Sequence, residues 1–153
     1  MAIDASAKKT NIRLSLKKYL IDTIETVQGK KVFFGIGYAL PQIDELTEWF
    51  SVGFGPMSRT GFSGFVVDLI AATRKDAEGD NLSELVDIGY AVMTDNTQPD
   101  GKRRISLYNV VGTTWTEFDK LLVTDINDSG EMTGPDGTQY QTLTCKINWV
   151  AKA

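Results

Sequence analysis

The chain contains no histidine. That absence removes Ser-His-Asp and Cys-His catalysis and His-ligated zinc together. It holds one cysteine, Cys145, so an intramolecular disulfide is impossible and nothing calls for an oxidising compartment. Cys145 falls on an apolar strand face, where a thiol is a small core hydrophobe and not a nucleophile. No apolar run approaches the roughly 18 residues that a membrane span needs. Residues 1–11 are polar and lack the apolar segment of about 7–15 residues typical of a secretory leader. The expectation from these absences is a non-enzymatic protein without cofactor, in a cytoplasmic setting and away from membranes.

At 153 residues, 42% hydrophobic and 24% charged, the chain has the size and composition of one globular domain. Such a domain buries about 68–70% of the surface of its unfolded chain, enough to fold without a metal or disulfide staple. The net charge of −4 is unevenly spread. Residues 1–31 hold seven basic and three acidic residues, and the remainder holds nine basic and seventeen acidic. An acidic body argues against nucleic-acid binding as the main role. The basic start of the chain is either a solvated helix face or an electrostatic contact with an acidic partner, a neighbouring copy included.

Hydrophobic periodicity gives the order of elements. Residues 1–10 read as a flexible arm and residues 11–153 as a single domain. Ile12, Leu16, Leu20, Ile24 and Val27 form one helical stripe across Asn11–Gln28, with Gly29 as the stop. Val32–Phe34 and Trp49–Phe54 read as strands, and Gly53–Phe62 as a mobile, glycine- and aromatic-rich connection. The most organised stretch is Thr60–Val110. It combines a strand to Thr73, an acidic loop over 74–80, a helix carrying Leu82, Leu85, Val86, Gly89 and Met93, a polar turn over 95–101, and a return strand. Thr114–Phe118 and Lys120–Ile126 extend the sheet, Gly134-Pro135-Asp136-Gly137 is a turn, and Gln139–Val150 is a final strand with Leu143, Cys145, Ile147 and Trp149 on one side. The expected class is α+β, a mostly antiparallel sheet of about six strands with two helices packed on one face.

Motifs that carry chemistry are weak. Gly35-Ile36-Gly37 leads into a Pro-containing loop and not a helix, so it lacks the context of a dinucleotide site. Gly53, Gly55, Gly61 and Gly64 are not followed by the Gly-Lys-Ser/Thr of a phosphate loop. Asp125, Asn127, Ser129 and Asp136, with Gly130 at the bend, have the spacing of a calcium loop. Yet the last ligand is Asp where Glu is usual, Gly134-Pro135 interrupts the approach, and the flanks alternate like strands. A hairpin is the competing reading. Acid pairs such as Asp76 with Glu78, and Glu117 with Asp119, read as solvated surface charge.

The order of these segments resembles the tail terminator proteins of long-tailed bacteriophages and related contractile particles. The resemblance covers residues 11 to 150. It is carried by the leading helix, Glu48-Trp49-Phe50-Ser51-Val52-Gly53-Phe54-Gly55, the strand ending Phe65-Val66-Val67-Asp68-Leu69-Ile70, the helix Leu82-Ser83-Glu84-Leu85-Val86-Asp87, and Asp100-Gly101-Lys102-Arg103-Arg104-Ile105-Ser106-Leu107-Tyr108. It implies a structural virion subunit that closes into a homohexameric ring, caps the tail-tube protein, stops tube polymerisation and presents its other face to head-completion or neck proteins. The implied location is the head-proximal end of the tail, after assembly in the host cytoplasm. DNA would pass through the lumen without specific binding, since six copies at −4 each carry −24 and repel phosphate. Candidate contact residues are Phe54, Met57, Arg59 and Phe62 in the glycine-rich connection, Arg13 and Lys17 on the first helix, and Asp76 and Glu78 in the acidic loop. Another head–tail connector, a monomeric α+β binding module, and an enzyme using metal-bound carboxylates around Asp125–Asp136 are the alternatives.

Overall fold

The structure, a computed structural model, describes residues 9–34, 46–58, 63–134 and 137–149. Helix α1 spans Lys9–Leu20 and continues as a π-helical segment over Ile21–Val27. Strand β1 is Val32–Phe34, β2 is Glu48–Ser58 and β3 is Ser63–Thr73. Helix α2 covers Asp80–Met93. Strands β4 (Arg104–Val111), β5 (Thr114–Asp128), β6 (Met132–Thr133) and β7 (Gln139–Trp149) complete the chain. The strands form one sheet in the order β1-β2-β3-β7-β5-β4, with β6 also on β7. Every pairing is antiparallel except β1 with β2. The class is therefore the expected α+β.

The first helix begins two residues before the expected Asn11, and residues 1–8 of the supposed arm lie outside the described residues. Its stripe is compatible with the π segment. Apolar residues spaced by four in an α-helix of 3.6 residues per turn drift about 40° per step around the axis. Widening the last turns toward π geometry cancels that drift. Ile12, Leu16, Leu20 and Ile24 all reach the core, each at most 1% exposed, whereas Val27, expected in the same stripe, is 73% exposed. Gly29 follows with φ of +70°, the left-handed conformation that glycine adopts without a Cβ penalty.

The core lies between the helices and one face of the sheet. Cross-strand neighbours build it in rows, such as Val52–Leu69–Leu143 and Phe65–Ile147–Val123. Helix α2 sits so close to this face that a Cβ on Gly89 would lie 2.9 Å from Leu143 Cδ1. Burying each large apolar side chain here contributes about 1.5–3 kcal/mol.

Strand β2 corrects the expectation of a mobile loop from Gly53. It continues to Ser58 and pairs with β3 throughout, with a bulge between Phe54 and Met57 opposite Val66. Pro56 has no N–H for the ladder, and a bulge is where a strand accommodates it. Gly55 supplies the close approach, because a Cβ there would meet the Val66 carbonyl oxygen at 3.0 Å. Residues 59–62, including Arg59 and Phe62, lie outside the described residues.

The sheet curls around α1. Asn11 and Ser15, both buried, face the outer edge of β4. The Val110 N–H donates to Asn11 Oδ1 at 3.1 Å and the Tyr108 N–H donates to Ser15 Oγ at 2.9 Å. At the other end of the sheet, Lys17 lies over the Phe34 ring of β1 and Arg13 over the Phe54 ring of β2. One helix thus bridges the two ends of the strand order. No helix among the described residues is long and apolar enough to cross a membrane.

Candidate interaction surface

The calcium-like spacing resolves into sheet. Asp125 and Asn127 are strand residues of β5, registered against Lys146 and Thr144 of β7. Ser129 is tied back to β7, its N–H donating to the Thr142 carbonyl and its hydroxyl accepting the Thr142 N–H. Asp136 lies outside the described residues. A continuous ladder cannot wrap a cation as a loop does, and no group of three or more metal-ligating side chains converges among the described residues. The described part of the segment follows the ladder that the hairpin reading expects.

Asp76 is the second correction. It is buried, not solvated. Helix α2 starts behind Gly79, which has φ of +77° and no side chain to cap the helix. Asp76 takes over that role from three residues upstream. Its carboxylate accepts the Leu82 N–H at 2.9 Å, the Asn81 N–H at 3.3 Å and the Thr73 hydroxyl at 3.2 Å. Burial alone would raise its pKa, but the hydrogen bonds from Leu82, Asn81, Thr73 and Gly79 outweigh it and hold the carboxyl below its ordinary value. An anion at a helix N-terminus also meets the positive end of the helix dipole. Its chemistry is spent inside the subunit, whereas Glu78 nearby is exposed.

Cys145 is buried in the core, and burial, followed by the charge of Asp68, pushes its thiol up to about 12. It carries no thiolate at neutral pH.

Among the expected contact residues, the fold brings Arg13 and Phe54 together. The guanidinium stands 4.5 Å from the ring centroid, a cation–π contact. Phe54 also packs against the core, so its ring serves the subunit's own body. Lys17 stands 5.2 Å from the Phe34 centroid. Met57 belongs to β2 by its backbone, and its side chain lies outside the described residues.

The surface that sequence reasoning missed is the β4–β5 hairpin. Among the described residues, residues 114–121 of β5 pair only with β4, because β7 joins β5 from Leu122 onward. Within the described residues the hairpin runs past the sheet as a two-stranded ribbon, a form that is marginal on its own in water. It exposes Val111 at 68% and Trp115 at 40%. Tyr108 steadies Trp115 edge-on, with ring centroids 5.7 Å apart. Between Trp115 and the outer side of α1 lies a shallow, mainly apolar concavity of about 540 Å³, lined by Leu14, Lys17, Lys18, Ile21, Asp22 and Trp115. Lys18 and Asp22 pair at 2.7 Å on its rim. The sequence signal was present in Trp115 between threonines, but a strand reading gives no reason to expect a ribbon without a third strand.

No family model matches the chain, and no curated protein matches it. A solved structure that carries only a sequence identifier superposes with a TM-score of 0.65 at 11% identity, covering 96% of this chain and 99% of its own. At that identity the likeness shows the fold alone.

Proposed function

We propose that this protein is a structural subunit of a phage-type tail, a terminator that forms a ring, caps the tail tube and provides the joining surface for the neck. The observation that carries the reading is the β4–β5 ribbon with its exposed Trp115 beside an apolar concavity. An exposed aromatic beside an apolar concavity with a charged rim suits a protein contact. A subunit that works by being bound on several sides needs such surfaces and no reactive centre. The choice of a terminator among assembly proteins rests on the sequence resemblance over residues 11 to 150. Tail-tube protein, a neck protein and further copies of the chain are the partners under this reading, with the virion tail as the location.

The test is direct. Tail-tube protein from the same genome is polymerised with and without this chain, and tube lengths are measured by electron microscopy. Short tubes bearing an end ring support the reading. Unchanged tubes, with the chain absent from their ends, count against it.

A further inference from the structure

We propose that the outer face of α1 docks onto the outer face of α2 of a second copy of this chain. The first face is basic with an apolar centre. Lys9, Arg13 and Lys17 recur every four residues along it, and none has a carboxylate partner among the described residues. Leu14, Ile21 and Trp115 line the concavity beside them. The second face is acidic. Asp80, Glu84 and Asp87 follow one another at helical spacing with exposed Ala91 in the same stripe. None of these three carboxylates joins an ion pair among the described residues either.

At 1.5 Å per residue the basic residues Lys9–Lys17 span about 12 Å and the carboxylates Asp80–Asp87 about 10 Å, so the two charged rows are of comparable length and opposite sign. Within one chain they do not meet. The two helices are held together elsewhere, where the Tyr19 hydroxyl donates to the Val92 carbonyl at their C-terminal ends. Since one chain carries both halves of a complementary pair, a second copy is the occupant that satisfies both. The two faces differ, so the contact is heterologous, the type that generates rings when the rotation closes. The inference deepens the ring reading and rests on it only for closure.

The experiment follows the mass of the full chain by sedimentation equilibrium, with thermal unfolding as a control for folding. Lys17→Glu and Asp87→Lys are prepared singly, as an equimolar mixture, and combined in one chain. Lys9→Glu, at an exposed site, repeats the first test without touching the Phe34 contact. Each single reversal is expected to weaken self-association about tenfold or more, and the mixture and the double variant are expected to restore it. Single reversals that leave association intact, or a mixture that fails to restore it, overturn this contact. A wild-type chain that stays monomeric at its highest soluble concentration also overturns it. In each of these cases the terminator reading still stands if the chain shortens tubes, so the two failures are distinguishable.

Discussion

At the scale of single residues, two side chains are decided by their surroundings. Cys145 is sealed in the core with its thiol pushed up to about 12. At pH 8 a thiol of that acidity is almost wholly protonated, and reaction needs thiolate and access. Native protein is therefore expected to show no reaction with a disulfide reagent over the time in which guanidine-unfolded protein reacts fully. Rapid labelling of the native fold would contradict the burial. Asp76 has a lowered pKa, so the sign of its contribution is fixed. A depressed carboxyl stabilises the fold fully above its unfolded pKa of about 3.9, and that contribution is lost as pH falls through the lower folded value. Asp76→Ala is expected to lower the melting temperature by several degrees at pH 7. The gap to wild type should narrow as the pH is taken below the ordinary carboxylate range. A gap that does not change with pH would mean that Asp76 acts by packing and not by charge.

At the scale of elements, α1 does two jobs that its apolar stripe does not announce. The stripe was legible because Ile12, Leu16, Leu20 and Ile24 repeat by four. That same repeat is compatible with the π segment but does not specify it, since nothing local says whether a helix will widen or let one residue drift. The roles of Asn11 and Ser15 were not legible at all. Their partners, the N–H groups of Val110 and Tyr108, lie more than ninety residues away. Asp76 was misread for a related reason, since a capping side chain is expected immediately before a helix and this one reaches over Gly79. Asp125 was legible as a strand residue, since it falls within the alternating Lys120–Ile126 segment that extends the sheet. The α1 contact also closes the β4 edge, an exposed row of donors that invites unwanted pairing. Asn11→Ala leaves the partly buried Val110 N–H without its acceptor, at a cost of up to about 1–3 kcal/mol. Urea unfolding is expected to show a lower midpoint at unchanged slope. An unchanged midpoint would mean that the edge is satisfied without Asn11.

At the scale of the whole molecule, the charge asymmetry noted in the sequence becomes geometry. Its basic excess falls on α1, and part of its acidic excess falls on the outer stripe of α2. The exposed apolar residues Val111 and Trp115 stand on a ribbon at one end of the sheet. Two forces with opposite salt responses are thus available for association. Screening shortens the reach of charge from about 10 Å at 0.1 M salt to about 3 Å at 1 M, whereas apolar burial is not weakened by screening. If the α1–α2 contact holds copies together, raising sodium chloride from about 0.05 to 0.5 M should weaken self-association progressively, and Trp115→Ser should weaken it at every salt concentration. If the ribbon alone holds them, Trp115→Ser abolishes association and salt has little effect. Sedimentation equilibrium over that salt series separates the two, because only a charge-matched contact loses affinity as the ions screen it.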